Sequence, residues 1–360
     1  MRAAFIADLH IANHQAHGGP PVAGINRRCQ LALDTLQLAV YKANKLECTH
    51  LVVLGDLYDT TRPLPQIETA VARRLRSFDG SVLLLMGNHD RNSGLPGDHA
   101  LGPLDDDRLQ VVAEPIAIGE LGLLPFRPEP VMSWFAPEAK KLFDRGARFL
   151  GAHFGLHDAA MRAGAKWMDE CADAAPVEWV GETLEEIGLD RLFCGNWHSH
   201  RSWPEHRCVQ VGSLVPTGWD NEGLDGYGKL VEFQLDDTGA ELGVHEIPGP
   251  RFVKLKHGEK LWPSDLQRME AGCSVFVRVV AKPEEHAAAL EAAAATEGLA
   301  GYEVVIDTDA AREAAHQSAE AARKLDSLGD MANEYVSGLS LPAEARRDEI
   351  LRLVRRYIEA

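Results

Sequence analysis

Five short polar motifs, each set close behind an apolar run, constrain this chain more than any other feature of it. They are Asp8-Leu9-His10, Gly55-Asp56-Leu57-Tyr58-Asp59, Gly87-Asn88-His89-Asp90, Ala152-His153-Phe154 and His198-Ser199-His200. The runs ahead of them are Ala3–Ala7, Leu51–Leu54, Val82–Met86, Phe149–Ala152 and Leu192–Cys194. Runs this short and this apolar predict strands buried on both faces of a sheet. Leu33, Leu36 and Val40 recur at helical spacing between the first two runs, and a second helical stretch follows Pro65 through Val71 and Leu75. The strand–helix–strand alternation predicts a layered α/β core. In an open α/β sheet, ligands collect at the carboxyl ends of the strands. The five motifs are therefore expected to converge on one crevice.

The residue types fit a dinuclear metal site. Carboxylate, imidazole and amide groups together suit Mn, Fe or Zn. On an extended segment every second side chain shares a face, so Asp8 and His10 project together, as do His198 and His200. Two divalent ions about 3.5–4 Å apart can share a carboxylate, activate a water near neutral pH and clamp both oxygens of an in-line displacement at phosphorus. Taken singly the motifs decide little. A D-x-H triplet is common in loops, G-D and G-N-H-D are turn sequences, and a lone His153 is more often a hydrogen-bonded core residue. Their joint occurrence, in this order and at strand ends, is what chance does not supply. His157 rivals His153, which is preferred because it stands directly behind the strand.

The pattern resembles that of the calcineurin-like metallophosphoesterases: D-x-H, G-D-x-x-D, G-N-H-D/E, a single His, and G-H-x-H. The resemblance implies a layered β-sandwich core flanked by helices. It also implies two divalent ions, with Mn²⁺ expected. Position by position, Asp8, His10, Asp56 and His200 correspond to ligands of one ion, and Asp56, Asn88, His153 and His198 to ligands of the other, Asp56 bridging. His89 corresponds to a histidine that contacts the scissile phosphate and protonates or stabilises the leaving oxygen. Asp90 is placed to orient it, and Asp59 belongs to the layer behind the ligands. One departure stands out: Gly195-Asn196-Trp197-His198-Ser199-His200 has Trp197 where the family has Gly. The H-x-H spacing survives, and the local turn is expected to differ.

The rest of the chain bears on the substrate. Val211–Asp220 resembles a segment of SbcD-type exonuclease subunits, and Pro250-Arg251-Phe252 resembles the opening of their capping domain. The implied organisation is a nuclease domain at 1–248, a small α/β cap at 249–308, and a helical connector and C-terminal helix pair at 309–360. In the cap, Arg251–Lys256, Ser274–Val280 and Tyr302–Asp307 read as strands, Ser264 as a helix N-cap and Pro283–Thr296 as a helix. The tail carries apolar stripes, Leu325, Leu328, Ala332, Tyr335 and Leu339, then Ile350, Leu353, Val354 and Tyr357. By resemblance they grip the coiled-coil base of an SbcC-like ATPase; a hairpin packed on the cap is the alternative. Arg346, Arg347, Arg352, Arg355 and Arg356 fit a solvated face or a DNA or partner contact equally well. The same holds for His14, His17, Arg27 and Arg28, as DNA-backbone contacts or ordinary loop residues.

The implied activity is that of a DNA exonuclease subunit in repair or recombination. A stand-alone diesterase on small nucleotides would need neither cap nor tail, and a non-catalytic scaffold would not keep every ligand position filled. A homodimer is compatible with this reading. The formal net charge of -17 means that DNA contact must be local, metal-assisted or shared with a partner, because free nucleic-acid binders are usually basic. Six cysteines without a C-x-x-C pair point to reduced thiols. With no apolar stretch of membrane-spanning length, the expected location is the cytoplasm, a host's if a phage encodes the chain.

Overall fold

The computed structural model describes residues 1–93, 97–164, 171–219, 227–235, 241–307 and 352. The connector and tail helices expected from 309 onward lie outside the described residues, Arg352 apart. The chain runs through β1 (Arg2–Ile6), α1 (Arg27–Lys45), β2 (His50–Val53), α2 (Pro65–Leu75), β3 (Ser81–Leu85) and β4 (Leu109–Val112). It continues through β5 (Ile116–Ile118), β6 (Leu121–Leu124), α3 (Val131–Asp144), β7 (Phe149–His153), β8 (Gly155–His157), α4 (Ala159–Gly164) and β9 (Ala174–Pro176). Then come α5 (Val177–Ile187), β10 (Arg191–Gly195), β11 (Arg201–Trp203), β12 (Cys208–Gln210), β13 (Lys229–Gln234) and β14 (Glu241–Glu246).

Two six-stranded sheets result, ordered β14-β13-β1-β2-β3-β4 and β11-β12-β10-β7-β6-β5. β1 to β4 are mutually parallel, as are β12, β10, β7 and β6; antiparallel pairings add β13 and β14 to the first sheet and β11 and β5 to the second, and β4 is a parallel edge. β8 and β9 form a separate small parallel pair.

Side-chain alternation builds the layers. Phe5, Val52, Leu54, Leu83 and Leu85 point between the sheets, where they meet Leu121, Leu123, Phe149, Phe193 and Val209. Their sequence neighbours Ala4, Ile6, Leu51, Val53 and Leu84 face the other way, onto Leu33, Leu36 and Val40 of α1 and Val71 and Leu75 of α2. α3 and α5 cover the outer face of the second sheet through Phe135, Leu142, Val180 and Leu184. The fold is thus a layered β-sandwich flanked by helices. α1 starts where Asn26 accepts the Cys29 N–H at 2.9 Å, an N-cap, and ends with Lys42 and Lys45 against the carbonyl end of the helix dipole.

Parallel register sets the strand ends level. Ile6 pairs with Val53, Val53 with Leu84, and Gly195 with His153. The first three strands each end a residue or so before the apolar run does, because Ala7, Leu54 and Met86 already belong to the turns that carry the motifs. The weakest strands in the sequence, such as β4, β6 and β12, are three or four residues long.

Beyond Pro250, β15 (Arg251–Lys256), β16 (Val275–Ala281) and β17 (Gly301–Ile306) pair in that order, with α6 (Pro263–Glu270) and α7 (His286–Ala295) between them in sequence. The N-cap of α6 is Trp262, not Ser264: Pro263, with its φ preset for the first helical position, starts the helix two residues earlier. Pro283–Glu285 is a 3₁₀ turn leading into α7. One compact unit comprises Met1–Lys254, Leu261–Arg278 and Glu297–Tyr302; the other comprises Leu255–Lys260, Val279–Thr296 and, among the described residues, 303–307 and 352. The six cysteines form no disulfide.

Phe5 and Phe193 stack across the sandwich with centroids 4.1 Å apart and planes 11° from parallel. Truncating such a side chain removes apolar burial and leaves a cavity that parallel strands cannot collapse around. Phe193→Ala is expected to cost about 3–5 kcal/mol of stability, read from the urea-unfolding midpoint. Trp262→Ala, at a 67% exposed position, should shift it by less than about 0.5 kcal/mol.

Candidate metal centre

The turns behind β1 and β2 are locked together. Asp8 N–H donates to Gly55 O at 3.2 Å, His10 N–H to Asp56 O at 3.0 Å and Ile11 N–H to Leu57 O at 3.0 Å. Asp8, His10 and Asp56 all adopt positive φ, 50°, 46° and 49°. For residues with a Cβ this backbone costs on the order of 1–3 kcal/mol each and persists only where the surroundings impose it. Two glycines make the gathering possible. A Cβ on Gly55, whose φ is 89°, would fall 2.1 Å from His153 Nδ1, and one on Gly87 would fall 2.1 Å from Asp56 Oδ1. The Gly of G-D and the Gly of G-N-H-D are bare backbone against which a neighbouring motif packs.

Asp8, Asp56 and His153 form a buried cluster with one ligand atom each within 4.8 Å of the others. His153 Nδ1 lies 2.7 Å from Leu54 O and so donates to it, which turns Nε2 toward Asn88 Oδ1 at 2.9 Å and Asp56 Oδ1 at 3.4 Å. Asp56 Oδ1 also accepts the His89 N–H at 2.9 Å, and Asp8 accepts the Asn196 N–H through both oxygens, at 2.9 and 3.1 Å. Burial pushes the Asp8 carboxyl up, with the Asp56 charge adding to the rise and the His153 charge opposing it. Burial acts the same way on Asp56, but the charge and hydrogen bond of His153 outweigh it and hold that carboxyl well down. Burial would lower the His153 pKa, yet Asp56 raises it to about 9. Two buried carboxylates, an amide oxygen and an imidazole nitrogen point at one another, and acceptors so arranged need positive charge among them. A divalent ion fits this donor set.

A second cluster stands beside the first. His10 Nε2 faces His198 Nε2 at 3.2 Å, with Asp8 in the same group. His10 Nδ1 donates to Asp59 Oδ1 at 3.1 Å, so its Nε2 presents a lone pair. Asp59 Oδ1 is also 3.3 Å from Nδ1 of the half-exposed His89, and Oδ2 lies 3.7 Å from His14 Nδ1. Burial would raise the Asp59 carboxyl, but hydrogen bonds with His10 and His89 hold it far below the usual carboxylate range. The same Asp59 contact raises the His89 pKa against the effect of partial burial.

The structure brings Asp8, His10, Asp56, Asn88, His153 and His198 together and sets His89 and Asp59 at their edge. The carboxylate beside the His89 ring is that of Asp59, 3.3 Å from Nδ1, where Asp90 was expected. Asp90, fully buried, accepts the Tyr58 N–H at 3.1 Å and the Gly87 N–H at 3.0 Å, tying the second and third motifs together. Burial raises its pKa to about 6, the Asp56 charge adding to the rise. His200 Nδ1 is held by Val211 O at 3.1 Å, and the residue is absent from these clusters. His157 stacks on Trp197, rings 6.0 Å apart, also outside them. Trp197 covers Gly155, where a Cβ would collide with the indole, and Asn196 ahead of it takes φ 85°.

His14 Nε2 braces the His10 carbonyl at 2.9 Å, Arg28 donates to Thr217 O at 2.7 Å, and Arg27 donates to Ala300 O at 2.8 Å. The His17 and Trp219 rings lie 5.6 Å apart. Sequence reasoning gave no role to Asn196 and Ser213. Ser213 donates its N–H to His198 O at 2.8 Å and its hydroxyl to Asp8 O, coupling the first and last motifs. Its place in the Val211–Asp220 segment was the available signal.

Acids, imidazoles and an amide gathered at five strand ends of a layered sandwich define a metal-dependent hydrolase of phosphate esters. The model of the family described as calcineurin-like phosphoesterase matches residues 1–180, half of the 360, and the chain belongs to that family. Among solved structures it is similar to a dimetal phosphatase from Danio rerio, at 12% identity and a TM-score of 0.39, over 66% of this chain and 93% of that one. No curated protein sequence gives a significant match.

If Asp59 sets the His89 ring, Asp59→Asn should move the His89 pKa downward in the metal-free protein, followed through its imidazole proton resonances. Asp90→Asn should move it far less. A shift as large with Asp90→Asn would return the orienting role to Asp90.

Proposed function

We propose that this chain is a two-metal phosphodiesterase acting on DNA, an SbcD-type exonuclease subunit in repair or recombination that works with an SbcC-like coiled-coil ATPase. The observation that carries the phosphodiesterase reading is the pair of adjoining clusters, Asp8–Asp56–His153 and Asp8–His10–His198, with the His89–Asp59 pair at their rim. By the resemblance Asp8, His10, Asp56 and His200 would hold one ion and Asp56, Asn88, His153 and His198 the other; we regroup His198 with Asp8 and His10, because its Nε2 lies 3.2 Å from His10 Nε2. Asp56 would bridge, and His200 would complete the set. Mn²⁺ is our choice of metal, on the mixed carboxylate, imidazole and amide donors.

When bound, the ions supply Lewis acidity and neutralise charge at the phosphoryl oxygens. The chain's own residues do the rest. Asp59 engages Nδ1 of His89, so Nε2 is the nitrogen presented to substrate. The raised His89 pKa keeps the ring protonated to higher pH, as a donor to the leaving oxygen must be. Asp90, Ser213 and Asn196 hold the turns so that ligands do not wander. The DNA reading is supported by the Val211–Asp220 and Pro250-Arg251-Phe252 resemblances. Among the described residues no helix is long and apolar enough to cross a membrane, and we place the protein in the cytoplasm.

Chelation should abolish hydrolysis of end-labelled duplex DNA, and added Mn²⁺ should restore it; activity that survives chelation contradicts the reading. His89→Ala should lower kcat about a hundredfold while metal content, by elemental analysis, stays unchanged. Loss of an ion would make His89 a ligand. Deleting residues 325–360 should end co-purification with the coiled-coil ATPase and leave hydrolysis of a small diester intact. Undiminished co-purification would remove the tail from the partner interface.

A further inference from the structure

A cleft that the metal motifs do not use opens beside them. Its volume is about 520 Å³, inside the range of roughly 300–1,000 Å³ typical of small-ligand sites. Met86, which leads β3 into the Gly87-Asn88-His89 turn, is on its wall, and the half-buried Phe126 lies behind β6 on the same wall. Phe126 ties the cleft to the metal centre twice. Its N–H donates to Met86 O at 2.9 Å, and its ring meets the His153 ring edge-on, centroids 6.3 Å apart and planes at 81°. A group lying against Phe126 is one side chain away from a candidate ligand.

The charge of the cleft departs from that of the chain. Four cations line it, Arg91, Arg127, Lys141 and Arg145, against three carboxylates, in a protein whose net charge is -17. One of the carboxylates, Glu138, is already engaged by Arg127 at 3.6 Å and Lys141 at 2.9 Å. Among the described residues, neither Arg91 nor Arg145 has a carboxylate partner. Lys141 and Arg145 are spaced i, i+4 at the end of α3, so both reach the same side. Arg91 arrives from the turn behind β3 and Arg127 from the loop behind β6. Cations from three separate elements and an aromatic ring therefore face one space, at the carboxyl ends of parallel strands.

We propose that this cleft is a nucleotide subsite. It takes the nucleotide next to the scissile phosphodiester, with the base against Phe126 and the phosphate among Arg91, Arg127 and Arg145. An aromatic ring accepts any base by stacking and so carries no sequence preference, and arginine suits phosphate. A base that stacks on Phe126 has left its own stack, so the nucleotide bound here is unpaired, in a single strand or at an opened end. The proposal rests on the phosphodiesterase reading above and adds the substrate's form to it.

The test is the binding of a dye-labelled, nuclease-resistant phosphorothioate ten-mer of thymidylate to the full-length protein, followed by anisotropy. Lys141→Ala/Arg145→Ala, at exposed positions in the last turn and at the C-cap of α3, should weaken binding about tenfold and lower the slope of log affinity on log salt by one to two. Arg73→Ala/Arg76→Ala removes the same charge from the last turn and C-cap of α2, away from the cleft, and should change affinity less than twofold. An abasic ten-mer should bind the wild type several-fold more weakly. No binding by the wild type, equal loss in both double variants, or equal affinity for the abasic strand each overturns the subsite. Hydrolysis of bis(4-nitrophenyl) phosphate by the wild type is measured in parallel. Its absence overturns the phosphodiesterase reading, and the binding comparison decides the cleft independently.

Discussion

Acceptors that face one another in a dry interior are the constraint on which this structure turns. Asp8 and Asp56 are within reach of one imidazole, His153, and none of the three is more than 1% exposed. Left to themselves two such carboxylates would separate or one would hold a proton. They stay because their backbones cannot move. The Asp8 and Asp56 turns are hydrogen-bonded to each other, Asn196 grips the Asp8 carboxylate, and the Leu54 carbonyl fixes the His153 tautomer. The opposed pKa shifts of Asp8 and Asp56 are the electrostatic record of that confinement.

The sandwich supplies the rigidity. Parallel strands in level register end together, and the inter-sheet layer around Phe5, Phe149, Phe193 and Phe233 leaves the strand ends no freedom to slide. Motifs far apart in sequence therefore meet within a few ångströms. The positive-φ backbone at Asp8, His10 and Asp56 is tolerated for the same reason: packing around the turns over-determines them. Metal affinity at such a centre belongs to the whole core, and a core mutation that loosens a strand end would loosen a ligand.

Much of this was legible in the sequence. A strand too apolar to face solvent, ended by a Gly-Asp or Gly-Asn pair, announces both a sheet and what stands at its mouth. Among the strands that escaped notice, β4, β5, β6, β8, β9, β11 and β12 are three or four residues long, too short to carry a periodic signal, whereas β13 and β14 run to six residues each and were passed over because no polar motif follows them. The split between Asp59 and Asp90 was hidden for a different reason. Both follow a motif glycine at similar distance, and only the turn geometry sends the Asp59 carboxylate to the His89 ring and the Asp90 carboxylate back to the Tyr58 and Gly87 amides. Ser213, Asn196 and Phe126 act through backbone groups or ring edges, which residue type does not reveal. Ser264 failed as a cap because Pro263 outranked it.

The central claim is that one crevice holds two ions bridged by Asp56. Anomalous diffraction from crystals grown with Mn²⁺, recorded at the manganese edge, tests it most directly. The account predicts two peaks per chain about 3.5–4 Å apart, one beside His153 and Asn88, the other beside His10 and His198, with Asp56 touching both. A single peak, or two peaks that are not both within coordination distance of the Asp56 carboxylate, would contradict it.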